Sequence, residues 1–304
     1  MQYKHIPNTD FNVSAVSMGT MTFGSPVGEA DAVRLVREAI DLGVNFFDTA
    51  NMYEGYKREP GSSGGVGEEL LGKGVAGKRD RVILATKLGM KVGNGAEDEF
   101  TSPAAIDKHL KLSLTRLDTD YIDIYYLHKP DPVTPVEEIL HALDGKIKEG
   151  LIRSYGVSNY GAEDLSRLLA AADRNHLPRP VICQPPLSLL KQEALDELIP
   201  LCAREQIAVA PYQVLQGGLL TGKYRKGAPL PSDSRKAEKA GWVWELDDAL
   251  MERIEVIRGA AEKQSLSMTQ YAIRWILEQP AVVSAIIGVK KTAQLEEAVR
   301  ALEN

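Results

Sequence analysis

Short runs of strand-forming residues alternate with longer amphipathic segments along almost the whole chain. The eight runs typical of β-strands lie at 16–18, 44–47, 82–86, 122–127, 152–157, 181–183, 208–210 and 285–287. Helical spacing of apolar positions is found at 29–42, 103–117, 135–149, 165–172 and 248–264. Strands that alternate with helices in this way predict βα units and a parallel sheet.

The ends of the predicted helices carry residues typical of helix caps. Ser102 and Thr134 each precede a proline, a pattern that predicts an N-cap residue followed by proline at the first helical position. Gly43 and Gly150 lie where C-terminal caps belong. The predicted boundaries therefore have local support at both ends.

The length of 304 residues would suggest two domains at roughly 150 residues each. Eight βα units without a break in composition instead predict one closed (β/α)8 barrel over residues 1–304. Within the N-terminal segment 1–15, residues 3–13 predict a hairpin that turns at 7–10 and plugs the bottom of the barrel. Residues 221–244 lack a clear strand and predict a long loop of functional importance or high mobility.

Composition excludes several classes of protein. A hydrophobic content of 44% with 26% charged residues is typical of a globular chain, and a net charge of −6 argues against a nucleic-acid partner or an acidic membrane surface. Cys183 and Cys202 lack CxxC spacing, which excludes a disulfide framework and a zinc site. The polar N-terminus and the absence of about 18 consecutive apolar residues predict a cytoplasmic location. Nothing in the pattern indicates an oligomeric state.

Two glycine motifs resemble nucleotide-binding loops, and we reject both. The segment 67–74 lacks the Ser or Thr that binds magnesium in a phosphate-binding loop, because Gly74 occupies that position. The segment 72–77 matches GxGxxG, but it follows a predicted helix and precedes a strand, which is the reverse of a dinucleotide fingerprint. We interpret it as a flexible connection from helix to strand.

Polar residues collect where the predicted strands end. Successive strands are followed by, or end in, Asp48, Lys87, His128, Ser158 with Asn159, and Gln184. Each of them also has a structural explanation, such as a turn cap for Asp48 or a solvated strand end for Lys87. However, the carboxyl ends of barrel strands meet at one rim, where active sites of this fold lie. Five strands with polar ends at that rim therefore predict an active site.

Several of these segments resemble the signatures of the aldo-keto reductase family. They are VNFFDTANMY (44–53), ILATKLG (83–89), DIYYLHKPDP (123–132) and GVSNY (156–160), followed by GGLLTGKY (217–224) and IIGVKKTAQLEEA (286–298). The resemblance covers nearly the whole chain. It implies a catalytic tetrad of Asp48, Tyr53, Lys87 and His128, and reduction of an aldehyde, ketone or sugar-derived carbonyl with NADPH.

The implied chemistry requires these residue types. Carbonyl reduction delivers a hydride to carbon and a proton to oxygen, so a general acid such as Tyr53 must lie beside the oxygen. A nearby Lys87 ammonium would lower the pKa of the phenol from about 10 toward about 7, a change of about 4 kcal/mol. Asp48 would keep Lys87 charged and oriented, and a neutral His128 would polarise the carbonyl.

The resemblance also implies a set of cofactor contacts. Ser158, Asn159 and Gln184 would hold the nicotinamide carboxamide, and the segment 212–218 with Lys223 would cover the pyrophosphate. The full set of further contacts would be Gly19, Thr20, Met21, Asp48, Tyr212, Gln213, Leu215, Gly218, Lys223, Gly288, Lys290, Gln294 and Glu297. Gly288 would open a helix whose N-terminus suits a phosphate. Lys290 and Lys291 favour NADP over NAD, with NAD and a solvated basic turn as the alternatives. No metal is implied.

Two departures from the family pattern concern the substrate mouth. Leu187 occupies a position where relatives commonly carry an aromatic ring that stacks on the nicotinamide. The loop 54–61 after Tyr53 is longer than usual, and its Lys57 and Arg58 either attract a polar or anionic substrate or form a solvated face.

Two other functions remain open at this point. Some relatives of this fold are cofactor-sensing partners of potassium channels, so a regulatory subunit with little turnover is the second hypothesis. A metal-dependent barrel hydrolase or isomerase is disfavoured, because the five histidines form neither HxH nor HExxH and Lys87 is a poor metal ligand. The expected partner is a small carbonyl or alcohol.

Overall fold

The architecture is that of a computed structural model, which describes residues 1–59 and 61–303. Pro60, part of the expected long loop after Tyr53, and Asn304 lie outside the described residues. The first two strands, β1 (Tyr3–His5) and β2 (Asn12–Ser14), form an antiparallel hairpin. The strands of the main sheet are β3 (Val16–Gly19), β4 (Phe46–Asp48), β5 (Ile83–Leu88), β6 (Ile122–Leu127), β7 (Ile152–Ser158), β8 (Ile182–Gln184), β9 (Ala208–Val209) and β10 (Ala285–Gly288).

Helices follow the strands of the main sheet. They are α1 (Glu29–Asp41), α2 (Val66–Val75), α3 (Pro103–Leu117), α4 (Val136–Lys148), α5 (Ala162–Arg174), α6 (Leu198–Arg204), α7 (Arg235–Glu238), α8 (Asp248–Lys263), α9 (Met268–Leu277) and α10 (Thr292–Arg300). Short 3-10 turns lie at Gly55–Lys57, Arg79–Arg81, Glu193–Leu195, Gln216–Thr221 and Ala240–Trp242. The predicted alternation of strands and helices is confirmed, with element ends within three residues of the predicted ones.

In the described part of the chain, eight parallel strands curl into a (β/α)8 barrel. Hydrogen-bonded neighbours follow the order β10-β3-β4-β5-β6-β7-β8-β9. The two ends of this sheet meet through the chain beside β9 and β10, where the Val283 amide donates to the Val209 carbonyl at 2.9 Å and the Ile286 amide to the Pro211 carbonyl at 3.0 Å. The predicted (β/α)8 fold is therefore confirmed.

The interior of the barrel is filled by alternate strand residues and by the hairpin. Successive side chains of a strand point to opposite faces, so Phe46 and Ile124 lie inside while their neighbours Phe47 and Tyr125 pack against the helices. Ile6, Phe11 and Val13 of the hairpin belong to the inner cluster and are almost fully buried, together with Ile83, Ala85, Tyr126, Ile182 and Ala208. The hairpin therefore packs against the inner side chains of the barrel, and its action as a plug stays a prediction.

One of the two predicted N-caps is wrong. The Ser102 hydroxyl accepts a hydrogen bond from the Ala105 amide at 3.2 Å, as a capping residue does. Thr134 does not cap α4, because the residue before that helix is Pro135, with φ −53° and an extended ψ of 132°. The Thr134 amide instead donates to the Asp131 carboxylate at 3.0 Å, which forms a turn before the helix.

The interpretation of 72–77 as a flexible connection is also wrong in its first part. Gly72 and Gly74 lie inside α2, where a Cβ would come within 2.8 Å of the carbonyl oxygens of Arg116 and Leu117 or within 2.6 Å of the Val36 side chain. These glycines therefore permit close packing of α2 on its neighbouring helices. This GxGxxG match reflects helix packing and not a nucleotide loop.

Residues 221–244, all of them described, contain no strand, as predicted. They do include the one-turn helix α7 and the 3-10 turn Ala240–Trp242. Among the described residues, we find no helix with both the length and the apolar character that a membrane crossing requires.

Candidate active site

The carboxyl ends of β4, β5 and β6 bring four polar side chains together. Asp48 ends β4, Lys87 lies near the end of β5, His128 follows β6, and Tyr53 lies in the loop after β4. Lys87 Nζ donates to Asp48 Oδ1 at 2.6 Å and to the Thr49 carbonyl at 2.7 Å, and it lies 3.5 Å from the Tyr53 hydroxyl. The four residues of the predicted tetrad are thus neighbours.

Tyr53 and His128 face one another across this cluster. Their ring centroids are 6.0 Å apart and the rings are nearly perpendicular, at 78°. Asp48, Lys87 and His128 are buried, and Tyr53 is partly exposed. A small molecule that enters from the rim therefore meets the phenol and the imidazole before it meets the ion pair beneath them.

The next strand ends extend the cluster with amide groups. Gln184 Nε2 donates to the second oxygen of Asp48 at 2.8 Å, so both carboxylate oxygens are engaged. The Ser158 hydroxyl donates to the Gln184 carbonyl at 3.0 Å, and Asn159 Nδ2 donates to the His128 carbonyl at 2.8 Å. These three residues, expected to hold a carboxamide, adjoin the tetrad.

The electrostatics of the cluster differ from the expectation at Tyr53. Burial of the hydroxyl, and then the negative charge of Asp48, raise the pKa of Tyr53 above its ordinary value. The expected lowering is therefore not found, because burial of the phenol and the negative charge of Asp48 together outweigh any effect of the nearby Lys87 ammonium. A phenol with a raised pKa is protonated at neutral pH, which is the state required of a proton donor.

The charges of Lys87 and His128 follow from their surroundings. Burial lowers the pKa of Lys87, and the adjacent Asp48 carboxylate opposes that change. Burial, reinforced by the positive charges of Lys87 and Lys129, holds the pKa of His128 well below its ordinary value. The imidazole is neutral at pH 7, as the sequence analysis expected.

Several buried polar atoms at this rim have no hydrogen-bond partner among the described residues. They are the hydroxyls of Thr20 and Thr49, both polar atoms of the Asn51 amide, and His128 Nδ1. Unpaired buried polar atoms cost free energy, so a cluster of them indicates a place where a polar ligand binds. The amide and hydroxyl donors here fit a nicotinamide carboxamide and a substrate carbonyl.

Tyr212 supplies an aromatic ring beside these groups. It follows β9, and its hydroxyl donates to Asn159 Oδ1 at 2.7 Å. Leu187, by contrast, is fully buried among side chains that pack between the sheet and the helices, and its amide donates to the Tyr212 carbonyl at 3.1 Å. The departure at Leu187 therefore leaves the site with an aromatic neighbour.

The last strand differs from the expectation in one respect. Gly288 ends β10, but α10 begins at Thr292 with Lys291 as its N-cap, so Gly288 does not open the helix. Gln294 Oε1 accepts from the Lys290 amide at 2.8 Å, and Glu297 accepts from the Ser267 hydroxyl at 2.7 Å. Both side chains thus have protein partners.

The basic residues expected near the cofactor face the segment 221–244. Lys290 Nζ contacts the Glu238 carboxylate at 2.8 Å, and Lys291 Nζ contacts Asp233 at 3.2 Å. Lys290 is not a solvated side chain, since only 17% of it is exposed, whereas 65% of Lys291 is exposed. Burial lowers the pKa of Lys223, which lies at the start of the same segment.

Tyr56, in the loop 54–61, contacts the segment 221–244, and the sequence analysis did not predict this contact. Arg235 Nε donates to the Tyr56 hydroxyl at 2.9 Å, and the Tyr56 ring lies 5.4 Å from the Trp242 ring. Tyr56 is buried, and Trp242 is 47% exposed. No local pattern marks this contact, because its partners are about 180 residues apart.

Arg58 has a structural role in this arrangement. Its Nε donates to the Met52 carbonyl at 2.9 Å and its Nη2 to the Lys91 carbonyl at 2.6 Å. The guanidinium therefore joins the loops after β4 and β5, while Lys57 is exposed. Within residues 1–59 and 61–303, no three His, Cys, Asp or Glu side chains form a group suited to a metal ion.

Comparison with known proteins identifies the family. A sequence profile described as the Aldo/keto reductase family matches residues 15–304. The chain belongs to the aldo/keto reductase family. Members of this family reduce carbonyl compounds with nicotinamide cofactors, and the chain is accordingly an oxidoreductase.

Individual aldo/keto reductase relatives match along the whole chain. A probable voltage-gated potassium channel subunit beta of Arabidopsis thaliana is 32% identical over 311 aligned residues, which cover 100% of this chain and 92% of the relative. The L-glyceraldehyde 3-phosphate reductase of Escherichia coli is 31% identical, with 100% of this chain and 88% of the relative covered. The solved structure of a glycerol dehydrogenase from Gluconobacter oxydans superposes with a TM-score of 0.82 at 28% identity, covering 100% of this chain and 90% of that chain.

Proposed function

We propose that this aldo/keto reductase reduces a small aldehyde, ketone or sugar-derived carbonyl with NADPH, and that Tyr53 is the proton donor. The observation that carries the proposal is the chain of contacts from Gln184 through Asp48 and Lys87 to the Tyr53 hydroxyl. It ends at a partly exposed phenol that faces the neutral imidazole of His128. A carbonyl oxygen between these two groups would receive a hydrogen bond from each.

The residues divide the chemistry between them. The bound nicotinamide supplies the hydride. Tyr53 donates its phenolic proton to the carbonyl oxygen, and the Lys87 ammonium at 3.5 Å stabilises the phenolate that remains. Asp48 holds the buried ammonium in its charged form, and neutral His128 orients the carbonyl through a hydrogen bond.

The cofactor proposal rests on two groups of residues. Ser158, Asn159 and Gln184 would bind the carboxamide, and Tyr212 would offer its ring to the nicotinamide. Lys223, Lys290 and Lys291 lie where a phosphate is expected and support NADPH over NADH. Because Lys290 and Lys291 are paired with Glu238 and Asp233, a 2′-phosphate would have to compete with those carboxylates.

The substrate proposal includes sugar derivatives because of one relative. The enzyme named L-glyceraldehyde 3-phosphate reductase acts on an aldehyde that carries hydroxyl and phosphate groups, and it aligns along the whole chain. A polar rim with Tyr53 and His128 at its base is compatible with an open-chain aldose.

A regulatory role is the second candidate function. The relative named as a potassium channel subunit beta also aligns over the full length of this chain. A protein of that kind would bind the cofactor but turn over slowly with every carbonyl compound.

A screen of NADPH and NADH oxidation over aldehydes, ketones and sugar derivatives tests both candidates. We expect Tyr53→Phe to lower turnover by about 100-fold or more, since a general acid contributes 10²–10⁴-fold, roughly. NADPH affinity, measured by fluorescence titration, should change less than about twofold because the hydroxyl is not a cofactor contact. Retention of most of the turnover contradicts the assignment of Tyr53, and cofactor binding without turnover favours the regulatory role.

A further inference from the structure

We infer that Glu68, which takes no part in the proposed reaction, is a positioning residue for Tyr53. Its carboxylate joins the start of α2 to β5, the strand that carries Lys87. The inference rests on the proposed function of Tyr53. Glu68 lies in the first turn of α2 and is fully buried. A buried carboxylate without partners is strongly disfavoured, so its contacts determine what it does.

Each oxygen of Glu68 contacts a different element. Oε1 accepts a hydrogen bond from the Thr86 hydroxyl at 2.6 Å, and Oε2 accepts from Arg116 Nη1 of α3 at 3.1 Å. Thr86 precedes Lys87 in β5, and the two side chains point to opposite faces of the sheet. The Glu68 carboxylate therefore ties α2 to α3 and to the backbone beside Lys87.

The same turn of α2 supports Tyr53. The Gly67 amide donates to the Tyr53 carbonyl at 2.8 Å. A Cβ built on Gly67 would lie 2.9 Å from the Tyr53 Cβ, so the helix backbone is in direct contact with that side chain. Movement of this turn would shift the phenol relative to Lys87.

Arg116 extends the contacts to the loop that leads into α2. Its Nη2 donates to the Ser63 carbonyl at 3.1 Å, and a Cβ at Gly65 would lie 2.4 Å from the guanidinium. Gly64 and Gly65 both have positive φ, of 66° and 96°, so this turn of the loop requires glycine at both positions. The ion pair with Glu68 holds the guanidinium against the loop.

These contacts together set the distance between the Tyr53 hydroxyl and Lys87 Nζ. The Tyr53 hydroxyl and Lys87 Nζ are 3.5 Å apart, and Glu68 connects the supports of both residues. The titratable groups that face the Tyr53 hydroxyl are Lys87, Asp48, His128 and Tyr212. Glu68 acts on Tyr53 through the backbone and not by direct contact.

The variant Glu68→Gln tests this role. The amide keeps the shape of the side chain and can accept from Thr86, but it removes the charge that holds Arg116. We expect turnover to fall about tenfold or more, with NADPH affinity within about twofold of the wild type. The alkaline limb of the pH–rate profile should move to higher pH, because the ammonium that favours the phenolate lies further from Tyr53.

Glu69→Gln is the matched control. Glu69 is the next residue of α2 and is exposed, so we expect its turnover, pH profile and thermal midpoint to match the wild type. All rates are compared well below the thermal midpoint of each variant. If Glu68→Gln does not fold, Thr86→Val replaces it, since it releases α2 from β5 while it retains the ion pair, and it should show the same loss and pH shift.

A lowered thermal midpoint with wild-type turnover and pH profile would overturn the inference, because Glu68 would then be only structural. Its failure is distinguishable from failure of the proposed function. If Tyr53→Phe retains turnover, the assignment of Tyr53 is wrong whatever Glu68→Gln does. If Tyr53→Phe is inactive and Glu68→Gln is as active as the wild type, only the role of Glu68 is wrong.

Discussion

Among single residues, Asp48 acts on the protonation of both Lys87 and Tyr53. Burial alone would favour the neutral amine of Lys87, and the Asp48 carboxylate opposes this at 2.6 Å. The second oxygen of Asp48 accepts from Gln184, which keeps the carboxylate in place. One side chain thus orients both the ammonium and an amide expected to bind the cofactor.

The variant Asp48→Asn tests whether the charge of Lys87 depends on the Asp48 carboxylate. The amide has nearly the same shape but no charge, so the pKa of Lys87 falls and the ammonium loses its proton at a lower pH than in the wild type. We expect turnover to fall by about 10- to 100-fold and its loss at alkaline pH to begin earlier. The measurement is kcat as a function of pH, with the exposed Asp41→Asn as control. A profile that superimposes on that of the wild type contradicts the role given to Asp48.

The sequence predicted the members of this site better than their properties. Asp48, Lys87 and His128 could be found because strand periodicity places all strand ends at one rim. The pKa of Tyr53 was predicted with the wrong sign, because the sequence contains no measure of burial and does not show that the negative charge of Asp48 acts on the phenol. The sequence analysis gave Glu68 no role, because no local pattern marks its contacts with Thr86 and Arg116.

At the scale of elements, the loop after Tyr53 contacts the segment 221–244 at the rim of the barrel. Arg235 of α7 bonds to Tyr56, which lies three residues after Tyr53. A Cβ on Gly217, in the segment expected to cover the pyrophosphate, would lie within 3.2 to 3.8 Å of Val243, Trp242 and Arg235. The contact therefore joins the loop of the proton donor to the segment expected over the cofactor.

Arg235→Ala should loosen this contact. Loss of one hydrogen bond of about 1 kcal/mol corresponds to about a fivefold faster release of NADPH. Stopped-flow fluorescence measures the dissociation rate. Lys57→Ala, which removes a charge from the exposed neighbour of Tyr56, is the control and should release NADPH at the rate of the wild type. An unchanged rate in Arg235→Ala would show that the loop contact does not retain the cofactor.

The N-terminal hairpin contributes to stability at the opposite end of the barrel. Phe11 is 4% exposed, and the Arg153 guanidinium lies 4.6 Å from its ring while it also pairs with Asp10. Phe11→Ala should lower the free energy of unfolding by about 3 to 5 kcal/mol, the usual cost of such a truncation, and leave kcat unchanged at ambient temperature. Urea unfolding checks this, with the exposed His5→Ala as control. A loss below about 1 kcal/mol would mean that the hairpin is not a plug.

At the scale of the whole molecule, the net charge of −6 conceals local differences in sign and protonation. Lys223, Lys290 and Lys291 collect at one side of the rim, although acidic residues outnumber basic ones overall. Two buried histidines, His109 and His128, have pKa values lowered chiefly by burial. The folded protein therefore holds these histidines in their neutral form.

The neutral histidines predict a loss of stability in mild acid. Their pKa values are lower in the folded state than the unfolded value of about 6.5, so the unfolded chain binds more protons as the pH falls below that value. Each histidine should lower the free energy of unfolding by at most about 1 kcal/mol between about pH 6.5 and 5.5, the amount for an imidazole that stays neutral in the folded state. Glu68 acts in the opposite direction, since burial raises its pKa and stability is lost as the pH rises through the folded value.

His109→Gln isolates one of these contributions. His109 Nε2 contacts the Glu97 carbonyl at 2.9 Å, and the glutamine amide can donate to the same oxygen. The variant should lose less stability than the wild type between about pH 7.5 and 5.5, by at most about 1.4 kcal/mol. Urea unfolding at the two pH values provides the measurement. Equal losses in both proteins would show that His109 does not titrate with unfolding.

The sequence by itself determined the barrel, the hairpin and the rim on which the polar residues meet. Each of these follows from local periodicity. The alternation of apolar residues along a strand, and their spacing along a helix, indicate which side of each element is buried. The predicted tetrad depends on no more than this rule and the resemblance of a few short segments.

Only the tertiary structure decided how those residues are paired. The Lys290 ammonium and its partner Glu238 are 52 positions apart in the chain, Gln184 and Asp48 are 136 apart, and Tyr56 and Arg235 are 179 apart. Such contacts depend on where separate loops and strand ends come together in space, and so does the desolvation that raises the pKa of Tyr53. Local sequence patterns do not contain that information, because burial and charge balance are properties of the assembled barrel.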